Sequence, residues 1–457
     1  MGHSWRPIAP LDSDWQEWAD TELDAIRVVW SDLQKAIGEQ TAAKLHERML
    51  TEWSIETGMV EDLYRWDRGV TETLLAHGVR ADRIPDGASS WSPELVAQVI
   101  RDQVAAVEGL FAFVKEERPF GTSFIHELHA QLLRSVPHNF DLGKWKVLPN
   151  GVELTDGTFH EYCPPEHVAA EIDRLLELNR EYATQSVPVE VRAAWIHHRF
   201  TQIHPYPDGN GRVARALATL LFVKAQLFPL IIRPNEKHLY FDALEAADRG
   251  DDQPLIERFR AMQRREIVKV CDFIPLAPTD AGPSGTLEDT IRRIGQKLDP
   301  ERIVPDYWSS MPEKVEAIRD EAARHIERLA QQLTQEFAAR TGFRFQTVSL
   351  IGGSLDLCTE GIDYEFRKAP FNTSVYLQMD VPQPWRIACT VHGTGPKANG
   401  LAACIVHLDS PNAQQWAGFG PYFLITYAEP LAHLQSRFSK WLEKQLIKAL
   451  DLWQQQL

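Results

Sequence analysis

With 457 residues, 44% of them hydrophobic, the chain can fill two or three apolar cores and reads as a soluble globular protein. A formal net charge of −16 argues against a general affinity for nucleic acid, which needs basic faces to displace counterions. No run of about 18 apolar residues occurs and the first residues lack the charged flank and apolar segment of a signal peptide, so no membrane partner is expected and the cytoplasm is the default compartment.

In chain order, Trp18, Leu23, Ile26, Val29, Trp30, Leu33 and Ile37 fit an amphipathic helix, and Leu45, Met49 and Trp53 continue with a second. The break at Ile84-Pro85-Asp86-Gly87, followed by Ser90-Trp91-Ser92-Pro93-Glu94, reads as a turn and then a capped helix with Pro in its first turn. Between Gly143 and Pro165, Lys144-Trp145-Lys146-Val147 alternates and Asp156-Gly157 suits a tight turn, so a short β-hairpin is expected to interrupt the helices. Helical periodicity resumes over 168–178, 189–200 and 213–227, and again from Leu239 and Leu255 onward.

The stretch from Pro275 to Gly285 is dense in chain breakers and reads as a linker. Beyond it, residues 311–339 carry the stripe Ile318, Ala322, Ile326, Leu329, Leu333 and Phe337 of one long helix. Strand-like runs follow at 345–351, 373–379, 385–392, 401–408 and 422–427, and a helix over about 431–452 closes an α+β domain. Cys163, Cys271, Cys358, Cys389 and Cys404 are scattered and lack CxxC spacing, so they read as small buried apolar residues and not as disulfides or zinc ligands. In the C-terminal part His392, His407 and Asp356 are dispersed, and Gly352-Gly353-Ser354 is too short for a phosphate loop.

One segment concentrates chemistry. His204-Pro205-Tyr206-Pro207-Asp208-Gly209-Asn210-Gly211-Arg212-Val213-Ala214-Arg215 holds a base, a carboxylate, a Gly-Asn-Gly turn and two guanidiniums. The apolar spacing after Gly211 turns helical, which places the turn at a helix N-terminus, where unpaired N–H groups and the macrodipole favour anions. Imidazole at His204 suits removal of a hydroxyl proton near neutral pH. Asp208 beside a phosphate cradle is a hard oxygen ligand of the kind magnesium takes. Arg212 and Arg215 offer planar forks for phosphate oxygens.

This segment resembles the signature of Fic domains, His-Pro-Phe-x-(Asp/Glu)-Gly-Asn-Gly-Arg-x-x-Arg, with Tyr206 at the usual Phe position as the only departure. Supporting resemblance runs from about Phe124 to Phe259 and includes His126, His129 and Asn150-Gly151-Val152. The resemblance implies a mainly α fold: a Fic helical core with a short β-hairpin flap, followed here by the C-terminal α+β domain. It implies a protein adenylyltransferase that moves AMP from ATP, with Mg2+, to a Ser, Thr or Tyr hydroxyl of a target protein. His204 would be the catalytic base and Asp208 the metal ligand. Gly209, Asn210, Gly211, Arg212 and Arg215 would hold the phosphates, with Tyr240 near the adenine. Thr155, Asp156, Gly157, Thr158 and Phe159 would form the target-binding flap.

Residues 54–64 are similar to the family's inhibitory motif, (Ser/Thr)-x-x-x-Glu-(Gly/Asn): Thr57 and Glu61 match, whereas Asp62 stands where Gly or Asn is usual. By that resemblance Glu61 would reach Arg215 and occupy the room of the γ-phosphate, with Glu56 as the competing candidate. The expected organisation is an N-terminal helical region with the inhibitory helix over 1–95, the Fic domain over 96–274, a linker over 275–290 and an α+β domain over 291–457. A homodimer is a habit of the family that no residue here demonstrates. Two other readings stay open: a Fic-type site that uses another phosphate-containing donor or removes AMP, and a nucleotide-responsive binding module serving the C-terminal domain.

Overall fold

The computed structural model describes residues 5–12, 15–18, 20–37, 39–116, 120–153, 159–273, 310–341, 345–351, 373–380, 384–394, 401–409 and 417–455. The expected linker at 275–290, Cys358, and Thr155 to Thr158 of the flap lie outside them. The chain divides into two compact units, residues 1–20 with 39–263 and residues 21–38 with 264–457.

The first unit is helical: α2 (Glu39–Val60), α3 (Arg68–His77), α4 (Pro93–Lys115), α5 (Thr122–Leu132), α6 (Pro165–Thr184), α7 (Val189–Ile203), α8 (Asn210–Lys224) and α9 (Lys237–Asp248), with α10 (Gln253–Phe273) running out of it. The helix α1 (Glu22–Ala36) precedes them in the chain and belongs to the second unit. As the sequence predicts, α4 starts with Pro93 in its first turn, and the Ser92 side chain accepts from Leu95 N–H. The centre of the unit is α8, where every residue from Arg212 to Val223 is buried. A helix enclosed on all sides must find partners for each polar group it carries, so Arg212 and Arg215 need anions.

A two-stranded antiparallel hairpin, β1 (Gly151–Glu153) with β2 (Phe159–Glu161), pairs Val152 with His160. The expected strand at 144–147 is not formed. Its alternation instead serves packing: Trp145 lies 4.8 Å from the Tyr206 ring, while Lys146 is buried and bonded to the signature loop.

The second unit matches the predicted α+β order. Its sheet is an antiparallel meander of β3 (Phe345–Ile351), β4 (Thr373–Asp380), β5 (Pro384–Thr394), β6 (Leu401–Asp409) and β7 (Ala417–Thr426). Alternate side chains such as Leu377, Ile387, Cys404 and Val406 share one apolar cluster with Ile318 and Ile326 of α11 (Met311–Thr341) and Phe438 and Leu442 of α12 (Leu431–Gln454). Cys163, Cys271, Cys389 and Cys404 are buried free thiols, as the sequence predicts.

The domain boundary departs from expectation: α1 belongs to this second unit and not to an N-terminal region ending at 95. The reason is electrostatic and long-range. Glu22, 1% exposed, is held by Arg264 at 2.6 Å and Arg437 at 3.2 Å, and Arg437 also grips Glu429 at 2.6 Å. A buried carboxylate needs such partners, and spacing in the sequence does not reveal them.

Candidate active site

Four elements of the first unit converge: the C-terminal end of α2, the loop between α7 and α8, the first turn of α8, and α9. The helix α7 ends at Ile203, and His204 adopts a left-handed conformation (φ 50°) that carries its side chain off the helix axis. Thr201 O accepts from His204 Nδ1 at 3.1 Å. A carbonyl can only accept, so Nδ1 carries the proton and Nε2 is left as the basic nitrogen. Tyr162, just after β2, stacks on the imidazole at 3.7 Å and 7°. Burial lowers the His204 pKa to about 4, with the Lys146 charge adding to the effect and the Thr201 bond, Glu61 and Asp208 opposing it.

The loop is pinned from within. Gly209 (φ 81°) makes the left-handed turn that starts α8, the conformation for which a residue without Cβ is needed. Gly211 lies inside the helix, and its lack of a side chain serves close approach: a Cβ there would fall 2.5 Å from Glu61 Oε1. Asn210 departs from its expected place among the phosphate contacts. Its Oδ1 accepts from Tyr206 N at 2.9 Å and its Nδ2 donates to Tyr206 O at 2.8 Å, so both ends of the amide help to close the loop. The Tyr206 ring, in the place of the family Phe, stacks on His129 at 3.7 Å. His129 accepts from Gly143 N–H through Nδ1 at 2.9 Å and therefore donates from Nε2 to Asp208 O at 3.1 Å. Burial lowers its pKa to about 4, which keeps that tautomer neutral.

Asp208 is half-exposed; its Oδ1 accepts from Gly209 N at 2.6 Å and its Oδ2 pairs with Arg212 Nη2 at 2.9 Å. Arg212 is 1% exposed, and among the described residues its Nε and Nη1 have no hydrogen-bond partner. Arg215 is 2% exposed and occupied: Nε donates to Thr57 Oγ1 at 2.7 Å and Nη2 to Glu61 Oε1 at 2.6 Å. The second oxygen of Glu61 stands 3.9 Å from Arg212 Nε. Burial opposes the Arg215 charge, and Glu61 together with Tyr240 raises the pKa above its usual value.

Between the two carboxylates weighed from the sequence, it is Glu61 that meets Arg215. Glu56 is buried and pairs with Arg68 at 2.6 Å. Asp62, in the Gly/Asn position of the motif, is left-handed (φ 57°) at the end of α2. That conformation explains the usual residues, and Asp is among the few others that tolerate it.

Tyr240 also departs from expectation. It is 2% exposed, its hydroxyl lies 2.9 Å from His197 Nε2, and its ring is core, closed to a stacking base. The neighbouring Phe241 is the ring that surfaces, 44% exposed, beside Lys237, whose Nζ meets Asp62 Oδ2 at 2.7 Å. Of the flap, Phe159 is described and is exposed on β2. The sequence reading gave no site role to Lys146 or Phe241 and placed Tyr162 only at the edge of the flap segment; the available signals were an isolated apolar–basic alternation and an aromatic beside Tyr240.

Residues 119–222 match the model of the Fic/DOC family. Over 79 residues the chain is 39% identical to the protein adenylyltransferase Fic of Culex quinquefasciatus, covering 17% of this chain and 16% of that one. Over 155 residues it is 30% identical to the protein adenylyltransferase fic-1 of Caenorhabditis elegans, covering 34% of this chain and 27% of that one. The solved structure of a Fic domain-containing signaling protein from Bacteroides thetaiotaomicron aligns at a TM-score of 0.46 and 21% identity, covering 53% of this chain and 94% of that one. The chain thus spans well under two thirds of these curated relatives. The resemblance to the Fic/DOC family thus rests on residues 119–222.

Proposed function

We propose that the chain is a protein adenylyltransferase that is held off by its own Glu61. The observation carrying this reading is the pair of buried guanidiniums at the start of α8: Arg215 is capped by Glu61, and among the described residues Arg212 Nε and Nη1 have no hydrogen-bond partner. Glu61 and the half-exposed Asp208 balance the two charges, but the buried Nε and Nη1 donors of Arg212 stay unmatched, and the phosphate oxygens of a nucleotide would supply acceptors for them. Backbone N–H groups of the first turn of α8 add to the same pull.

In this reading His204 Nε2 takes the proton from a Ser, Thr or Tyr hydroxyl of a protein target. The freed oxygen attacks the α-phosphorus of ATP, the bond to the β-phosphate oxygen breaks, and pyrophosphate leaves. Asp208 suits a magnesium ion that keeps waters and phosphate oxygens as its other ligands, because its carboxylate is half-exposed at the mouth of the cradle. The ion would supply charge neutralisation at the phosphates; the chain's part is orientation. Phe241 offers the aromatic face for the adenine that Tyr240 does not. Thr155 to Phe159 would align the target as a strand beside the hairpin. With Glu61 on Arg215, the γ-phosphate has no seat and the α-phosphorus misses the base. No helix among the described residues is long and apolar enough to cross a membrane, and a cytoplasmic site of action fits this reading.

The test is incubation of Glu61→Gly protein with α-labelled ATP and a lysate. Label should enter protein and vanish in Glu61→Gly/His204→Ala. Label from the γ-position and none from α would replace the reading with kinase chemistry. Loss of AMP from a modified target, read as a mass decrease, would favour removal over transfer.

A further inference from the structure

The segment 145–150 takes up four consecutive carbonyls, from Ile203 at the end of α7 to Tyr206 in the signature loop. Lys146 N–H donates to Pro205 O at 2.8 Å, and Lys146 Nζ donates to Ile203 O at 3.4 Å. Asn150 Nδ2 donates to Tyr206 O at 3.1 Å and His204 O at 3.5 Å. The two side chains are tied to each other, Lys146 Nζ to Asn150 Oδ1 at 2.5 Å. Lys146 is 3% exposed, so an ammonium has been taken out of water to sit at the C-terminal end of α7, where the helix macrodipole presents partial negative charge. A neutral side chain of similar length would fill the space without that desolvation cost, so the charge itself asks for a purpose.

We infer that Lys146 is a positioning residue for His204: its ammonium, braced by Asn150, fixes the left-handed turn at the end of α7 and disfavours a second positive charge on the imidazole, so that the ring stays an unprotonated base. This rests on the adenylyltransferase reading for its purpose, though not for its geometry. The groups facing His204 are Lys146 from this segment, Glu61 from the end of α2, Asp208 from the loop and the ring of Tyr162. Only Lys146 among them is cationic, and it acts in the same direction as burial. Lys146 itself faces Cys163, and burial lowers its own pKa to about 8.

The role is tested without nucleotide by following the His204 ring in an NMR pH titration, with the resonance assigned by its loss in His204→Ala. In Lys146→Met the His204 pKa should rise by about half a unit or more, and Lys146→Arg should return it toward the parent value. In the Glu61→Gly background, Lys146→Met should lower kcat about tenfold or more, keep the KM for ATP within about threefold, and move the acid limb of the kcat profile upward. If Lys146→Met does not fold, Lys146→Gln, which keeps a donor and removes the charge, carries the same expectations. An unmoved His204 titration in a folded, charge-neutral variant overturns the inference. Absence of transfer in the Glu61→Gly parent, with the titration shifted as expected, would instead remove the adenylyltransferase reading and leave the electrostatic role standing.

Discussion

Two stretches of α2 carry acidic residues, and they are built for different ends. In its middle, Glu52 and Glu56 are at most 1% exposed, and both are gripped by Arg68 of α3, which also reaches Glu72 at 2.5 Å. At its end, Glu61 remains 21% exposed and meets an arginine belonging to the signature. The first set, which Arg48 joins through Glu72 at 2.5 Å, fastens α2 to α3. The second pair is reached by water, and in the proposed reading a phosphate would take the place of Glu61 on Arg215. A carboxylate on one helix thus becomes fixed or displaceable according to which cation it meets and how much water reaches it.

The contrast is sharpest when each acid is removed. Glu61→Gly should raise ATP-dependent self-labelling by on the order of a hundredfold, if its carboxylate misplaces the α-phosphate by about an ångström. Glu56→Gly should leave labelling at the parent level and lower the melting temperature, since Glu56 meets Arg68 and not the signature. Equal labelling in Glu61→Gly and the parent would erase the distinction.

Removing the cation is the next largest effect. Arg68→Ala strands two buried carboxylates, and unfolding in urea should show a loss of about 2 kcal/mol, a figure discounted because Arg68 is 38% exposed. No loss would mean that Glu52 and Glu56 are satisfied elsewhere.

Acid should act through the buried imidazoles. His129 and His204 stand at about 4 in the folded protein, against an ordinary value near 6.5. The unfolded chain therefore binds more protons between those values. Their contribution is fully present above about pH 6.5 and is lost as pH falls toward 4, by up to about 1.4 kcal/mol per pH unit for each group taken singly. Denaturation curves at pH 7 and pH 5 measure it; equal stability at both would mean that these rings are solvated.

The smallest effect concerns how α2 is held near its end. Tyr64, 1% exposed, donates its hydroxyl to Ser54 O and Ile55 O, each at 3.2 Å. Tyr64→Phe should cost about 1 kcal/mol in stability. A modest rise in self-labelling with it would extend the displaceable region back along the helix.

Much of this was readable before any coordinates, for reasons that differ by residue. His204, Asp208, Arg212 and Arg215 lie within twelve positions, so their convergence is set by one loop and one helix turn. The strands of the second unit were readable because alternation and chain breakers are local signals. The side-chain partners were less legible: Asn210 turns back on the Tyr206 backbone four residues earlier, and Tyr240 meets His197, a partner that only tertiary packing supplies. The motif spacing favoured Glu61 over Glu56, and the partners separate them: Arg215 for Glu61 and Arg68 for Glu56. The placement of α1 rests on Arg264 and Arg437, more than two hundred residues away along the chain.

The amide of Asn210 has one last implication. An Asn followed by Gly is the dipeptide most given to slow deamidation, in which the next backbone nitrogen attacks the side-chain carbonyl and leaves an acid. Here both ends of that amide are engaged by Tyr206, and the residue is 2% exposed, so the folded protein should age slowly at this point and the unfolded chain should not. Were the conversion to occur, an oxygen would confront Tyr206 O where a donor had stood, and the turn that carries the base would spring open.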